Sequence, residues 1–440
     1  MKYDKFFELA KQAGIEDCEL YISESSNLSF TLFHGEVTEY ENNNAKNISA
    51  RGIINGKFGS ATCDVWDNKR AEYLVNEIKS NALVSENDDP AIIFAGSPKY
   101  KKVSTFNKEL ETVPFDVKLN KMLDLEKNIK NGDKRIIEVA QVSYEEKYMS
   151  VSIYNSKGLK LNQKTNYFVG FGVAVASNGT QVKTDYDFCF DNDFNKFNPE
   201  ALASKIVKKA VSQLGGEACQ SAKYKAVLAP NVVTSFLHTL VGYASSDEVQ
   251  KNSSLFIGKL GQKVASSKIT IEDKPLDKTI FARPFDDEGV ATSNKYIIKN
   301  GVLETYLYNL KTAAKEGRES TGNGYKAGDT IDVATAFLTL KPGKKSQEEL
   351  FQLVGDGVYI TEVSGLHAGL NPQSGDFSLQ SSGFLIKDGK IDRGLDIITV
   401  SGNILKIFED VKEVGSDVEI SPSGVSCSSL LIKELSVAGK

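Results

Sequence analysis

Four dipeptides, Asn55-Gly56, Asn300-Gly301, Asp356-Gly357 and Asp388-Gly389, restrict the fold more than any other feature of the chain. Asn-Gly and Asp-Gly tolerate the left-handed backbone that a two-residue hairpin turn imposes at both central positions. Each therefore predicts an antiparallel hairpin. Ser156-Lys157-Gly158 and Ser177-Asn178-Gly179 add two more turns. Strand-like runs cover 17–23, 28–34, 36–40, 47–54 and 57–64, and recur between 136 and 187.

Helical spacing separates these runs. Apolar residues three and four apart predict helices over 68–81, 115–130 and 231–244. Asn198-Pro199-Glu200 predicts another, with Asn as cap and Pro in the first turn. Residues 85–115 hold Pro90, Pro98 and Pro114 and read as a connection. The chain is thus predicted to be α+β and β-rich. Helices flank antiparallel sheets in domains over 1–90, 110–218 and 223–440, the last a large β-rich domain.

Charge and cysteine usage narrow the function. A net charge of −5 without a clustered basic patch argues against direct nucleic-acid binding. No apolar run reaches the roughly 18 residues of a transmembrane helix, so no membrane association is expected. The first 14 residues carry charges every few positions, and Phe6, Phe7, Ala10 and Ala13 suit an amphipathic helix rather than a secretory signal. Five scattered cysteines without a CxxC pair suit free thiols and a cytoplasmic location.

The 231–244 helix carries the candidate chemistry. A zinc-peptidase helix offers two His ligands and a Glu beside the first, which deprotonates the metal-bound water. Here His238 is followed by Thr239 where that Glu would stand, and Tyr243 occupies the place of a second His. The helix reads either as a degenerate metal site or as a core helix holding one His. Other matches are weak. Asp191-Asn192-Asp193 opens like a calcium loop but lacks its Gly and terminal Glu. Gly170-Phe171-Gly172 lies inside a strand run and opens no helix.

Downstream motifs decide between these readings. Pro284-Phe285-Asp286-Asp287-Glu288-Gly289-Val290, the run from Ile298 to Leu307, Ser320-Thr321-Gly322-Asn323-Gly324 and the ending Leu430 to Gly439 follow the His238 helix in order. Together they resemble the TldD/PmbA family, also known as TldD/TldE or modulator of DNA gyrase, over essentially the whole chain. The resemblance implies a cytoplasmic zinc metalloprotease of two paralogous subunits that acts on unfolded or short peptides. The TldD-type subunit carries His-Glu-x-x-x-His and a Cys ligand; the PmbA (TldE) type lacks the complete motif. Carried over, His238, Thr239, Tyr243 and Cys427 are the degenerate zinc-site positions. The Gly-rich stretch after the Cys is shortened here to Ser428-Ser429. The resemblance therefore implies a non-catalytic subunit with no metal or other cofactor of its own. Zinc is expected in a TldD-type partner, bound as a heterodimer, and a homodimer is expected when the chain is isolated. Asp286, Asp287, Glu288, Gly289, Thr321, Gly322, Asn323 and Gly324 are the candidate peptide-cavity positions. Two other readings stay open: a homodimeric hydrolase with an unrecognised site, and a non-enzymatic regulator of DNA gyrase.

Overall fold

Three of the four marked dipeptides turn hairpins. In the computed structural model, which describes residues 3–440, Asn55, Asn300 and Asp388 have φ of 51°, 49° and 51°, and each following Gly is left-handed too. His34-Gly35 makes a further turn of this kind. Asp356-Gly357 departs from the expectation. Gly357 opens a strand that runs parallel to its neighbour. A Cβ there would lie 2.3 Å from the Lys225 carbonyl oxygen, so close backbone approach, not a turn, requires Gly.

The N-terminal half comprises α1 (Asp4–Gln12), β1 (Cys18–Phe33), β2 (Glu36–Ile54), β3 (Lys57–Cys63), α2 (Asn68–Val84), α3 (Phe115–Asn131), β4 (Ile136–Asn155), β5 (Lys160–Ser177), β6 (Val182–Asp191) and α4 (Pro199–Ser212). Its six strands form one antiparallel sheet in the order β3-β2-β1-β4-β5-β6. The runs 17–23 and 28–34 prove to be one strand, as do 36–40 and 47–54. The polar residues between them show no hydrophobic alternation. Cross-strand pairing, such as Asn27 opposite Asn43, carries the strands through.

Two cores sit on the same sheet face. Leu20 and Ile22 of β1 pack with α1 and α2, whereas Phe30 and Leu32 pack with α3 and α4. Glu19 to Leu32 of β1 lie opposite Asn155 to Val142 of β4. The blocks expected at 1–90 and 110–218 thus each hold a core but share a sheet. Asn198 caps α4, its Oδ1 accepting the Ala201 N–H at 3.0 Å, with Pro199 as the first helical residue.

The C-terminal half opens with β7 (Ala222–Leu228), α5 (Pro230–Gly242), α6 (Ser246–Gln250), β8 (Ile271–Asp273), β9 (Lys295–Lys299), β10 (Val302–Leu303) and α7 (Leu310–Lys315). It continues with β11 (Gly324–Ala327), β12 (Thr330–Val333), β13 (Leu338–Leu340), α8 (Gln347–Val354), β14 (Gly357–Ser364), α9 (Leu366–Gly369) and β15 (Asp376–Lys387). It ends with β16 (Lys390–Asn403), α10 (Ile404–Glu409), β17 (Val411–Val414), β18 (Glu419–Ser421), β19 (Val425–Cys427) and β20 (Leu430–Ala438). Strands β16-β15-β14-β7-β20 return to β16 and close a five-stranded barrel, with β17 added on β20. A second sheet runs β10-β9-β8-β13-β19-β18. Helix α5 touches β14 of the barrel and β18 and β19 of the second sheet, and its apolar face joins their common core. No helix among the described residues is long and apolar enough to cross a membrane.

Candidate functional site

His238 and Cys427 come to one side of α5. The Cys427 Sγ is 3.1 Å from the Pro230 carbonyl oxygen and 3.2 Å from Thr234 Oγ1. Thr234 and His238 are one turn apart on one face. The His238 Nε2 is 3.0 Å from Ser423 Oγ in the β18–β19 turn, so this hairpin runs along that face. Thr239 bonds back through Oγ1 to the Ser235 carbonyl oxygen at 3.4 Å. Tyr243 does not join. Five residues turn about 140° around a regular helix, and its ring lies in the core, edge-on to Phe256 at 5.8 Å. Its buried hydroxyl has no partner among the described residues. The four sequence candidates thus resolve into a pair, His238 and Cys427, with Thr239 beside it and Tyr243 turned inward.

Electrostatics keep this pair quiet. His238 is open to solvent on one side, yet desolvation by its surroundings holds its pKa below the usual histidine value. Burial pushes the Cys427 thiol up to about 12, only partly offset by Thr234. The thiolate is the reactive form, so Cys427 is expected to resist iodoacetamide at neutral pH in the native protein and to react after denaturation. Peptide mapping by mass spectrometry checks this.

The second candidate set is brought together but buried. Asp286 Oδ1 accepts the N–H groups of Glu288 and Val290 at 3.0 and 2.9 Å, and Oδ2 accepts that of Gly324 at 2.9 Å. Glu288 Oε2 accepts the Leu310 N–H at 2.7 Å, at the start of α7. Asp287 reaches the other half of the chain. It accepts the Tyr21 hydroxyl and the Lys326 N–H, both at 2.9 Å, and pairs with Arg283. The Gly289 carbonyl accepts the Tyr100 hydroxyl at 2.8 Å, and Gly289 has φ of 85°. Thr321 donates to Asn323 Oδ1 at 2.8 Å, and the Asn323 amide donates to Asp273 at 2.8 Å. Gly322, at φ of 71°, is buried too. These residues form a joint between the N-terminal sheet and the C-terminal half, their polar atoms engaged within the chain rather than facing a peptide.

The joint holds protons. Burial first, and Glu288 second, raise the Asp286 pKa from 3.8 to about 8 despite three N–H donors. Burial also raises Glu288. A carboxyl raised on folding contributes stability that is complete below its unfolded pKa and is lost as pH climbs through its folded pKa. The Asp286 contribution is therefore expected to fall between about pH 4 and pH 8 and to level above it. Denaturant titrations across that range test this. Asp286→Asn should flatten the dependence at a constant cost, because its amide nitrogen would face the Gly324 N–H.

Three family models match in succession: the PmbA/TldA metallopeptidase domain 1 over residues 18–82, its central domain over 108–214 and its C-terminal domain over 221–439. The chain belongs to the PmbA/TldD metallopeptidase family. Among PmbA/TldD relatives, a Buchnera aphidicola protein named as a metalloprotease PmbA homologue is 26% identical, covering 96% of this chain and 93% of its own. A metalloprotease of Methanocaldococcus jannaschii is 27% identical over 96% of this chain and 94% of its own. A Thermotoga maritima structure described as a candidate modulator of a DNA gyrase superposes with a TM-score of 0.92 at 31% identity, covering 99% of both chains. The fold is shared with TldE of Thermococcus kodakarensis, with a TM-score of 0.92, 21% identity and complete coverage of both chains.

A family named for a metal raises the question of fit. The residues of this chain do not fit a zinc centre at α5. Two ligand-type side chains, His238 and Cys427, lie on the face where a catalytic zinc wants three, and Tyr243 is committed to the core. Among the described residues, no three His, Cys, Asp or Glu stand close enough to hold a metal ion. Sequence reasoning also passed over Glu19 and Arg51, a pair on neighbouring strands with Oε1 and Nε 2.9 Å apart. Single charges in strands read as solvated faces, and only the contact with a distant hairpin buries them.

Proposed function

We propose that this chain is the non-catalytic, PmbA/TldE-type subunit of a two-subunit zinc metallopeptidase that acts in the cytoplasm on unfolded or short peptides. The observation that carries the reading is the parting of the α5 side chains, with Thr239 in place of a general base and Tyr243 turned into the core. A threonine cannot accept a proton from water near neutral pH. Purified alone, the chain is expected to retain no stoichiometric zinc and to leave an unstructured peptide uncut. Mixed with a TldD-type subunit from the same cell, it is expected to co-migrate with it, with zinc on the partner. Near-stoichiometric zinc and EDTA-sensitive cleavage by the isolated chain would overturn the proposal.

For peptide contact, a groove replaces the buried joint as the favoured surface. It has a volume of about 780 Å³ and lies between β6 and β18, with Phe106, Phe190, Phe281 and Ile420 among its walls. An extended peptide suits such a groove because its backbone can bond along a strand edge.

Alone, the chain is expected to form a homodimer. Residues 36–45 of β2 are exposed, and among the described residues no second strand pairs with that edge. An uncovered edge is a template for another strand, and a two-fold pairing is the commonest closed assembly. A monomeric mass by light scattering at micromolar concentration would count against it.

A further inference from the structure

Two sheets end at one groove. β6 is the last strand of the N-terminal sheet and β18 the last of the second sheet, so among the described residues each has one edge without a neighbour. Residues 187–192 and 418–420 both line the groove between them. At about 3.4 Å per residue, the run from Asp187 to Asn192 spans roughly 20 Å.

Acidic side chains guard most of the β6 edge. Alternate residues of a strand direct their N–H and C=O groups to opposite sides. The N–H groups of Tyr186 and Phe188 point outward and are already taken, by Asp185 Oδ1 at 2.8 Å and Asp187 Oδ1 at 2.7 Å. Phe190 is next in this alternation, with no register shift between β5 and β6. It follows Cys189, and a thiol is a weak acceptor. The outward Phe190 N–H is thus left open inside the groove. On β18, the Ser421 carbonyl turns inward to the Gly424 N–H, so the Ile420 backbone faces outward by the same alternation.

The side chains around these edges are apolar on one face. Cys189 packs against the α3–α4 core, which places Phe188 and Phe190 on the opposite side of the sheet. Their rings lie 5.9 Å apart, and Phe281 meets Phe190 at 6.0 Å, edge-on. Ile420 is 40% exposed. Charge makes little demand here. Asp187 and Asp191 are ion-paired with Lys209 and Lys196 at 3.0 and 2.9 Å, and Lys205, Lys278 and Glu419 are exposed.

A ligand that meets both edges must offer backbone donors and acceptors on both of its sides, which an extended chain does. We propose that the groove takes an extended peptide segment of about six residues as an inserted strand joining the two sheets. It bonds β6 at Phe190 on one side and β18 at Ile420 on the other. Apolar side chains at every second position lie against Phe188, Phe190 and Phe281. The substrate class is then the amphipathic strand of an unfolded protein, not a peptide of any sequence. This rests on the reading that the chain handles peptides.

Fluorescence anisotropy on the purified full chain, without a partner subunit, tests this with a labelled hexapeptide that alternates Phe or Val with Ser. Binding is expected in the micromolar-to-millimolar range. A block isomer, with the apolar residues consecutive, should bind at least about tenfold more weakly. In an inserted strand the odd amides bond one edge and the even amides the other. N-methylation of either set should therefore abolish binding. Cys189→Asn supplies the acceptor that already covers positions 186 and 188, and Ile420→Glu sets a charge at an exposed groove position. Each is expected to weaken binding by about tenfold or more with the circular dichroism spectrum unchanged. Equal binding of the block isomer, loss of binding for only one N-methylated set, or binding that survives both variants overturns the proposal. So does absence of binding at millimolar peptide, the result expected if a strand of a second copy or of the partner subunit fills the groove instead. None of these outcomes reads zinc or co-migration, which test the subunit role, so the two proposals fail separately.

Discussion

Asp287→Ala is expected to lower the unfolding free energy by about 3–5 kcal/mol, the cost of removing one partner from a buried charged network. Asp287 is 5% exposed. Its loss strips the acceptor from the Tyr21 hydroxyl, the Lys326 N–H and the Arg283 guanidinium together. Two of those donors and the acceptor come from the C-terminal half and one from β1, so the variant strikes the joint rather than either core. The urea transition is therefore expected to split, with the two halves melting apart. Asp287→Asn, which keeps one oxygen, should be milder. A single unshifted transition for Asp287→Ala would show that the joint contributes little to holding the halves together.

The double variant Thr239→Glu with Tyr243→His restores the residue types of a zinc-peptidase helix, and is expected to gain no zinc affinity. The new imidazole would point where Tyr243 points, into the core beside Phe256. The helix would have to unwind locally to bring positions 238 and 243, about 140° apart around its axis, to one metal. Replacing the buried ring by a smaller polar one is expected to destabilise the chain by about 3 kcal/mol. Calorimetric titration with zinc, paired with denaturation, reads both effects. Tight zinc binding by the double variant would mean that α5 can unwind at its C-terminal end, and that position 243 is not committed to the core after all.

The signals that were local in the sequence are the ones that proved legible. The Asn198-Pro199 cap, the Asn-Gly turns and the apolar face of α5 each need only neighbouring residues to take effect. The middle of β1 and β2 was not legible, because residues 24–27 and 41–46 are strands through their partners alone. Asp356-Gly357 misled because the same small residue serves a tight turn and a close backbone approach. The candidate site divided in the same way. The family resemblance located α5, but which side chains converge depended on helix rotation, which a motif does not encode. Asp286 to Gly289 drew attention as an acidic, turn-forming run. Only the contact with β1, more than 260 positions earlier, shows it to be a joint.

The barrel of the C-terminal half has a consequence for the order in which the protein is made. β20 lies between β7 and β16, and pairs Leu430 with Leu228 and Val437 with Ala222. The ring therefore cannot close until β20 has left the ribosome, whereas every strand of the N-terminal sheet is present by Asp191. While the residues between Asp191 and β20 are made, the chain carries a finished sheet followed by an open, apolar set of strands. Contacts this distant along the chain form slowly, and the waiting segment is exposed to aggregation and proteolysis. A chain that lacked β20 would leave β7 and β16 with bare edges, so damage to that one strand should act on the whole second half.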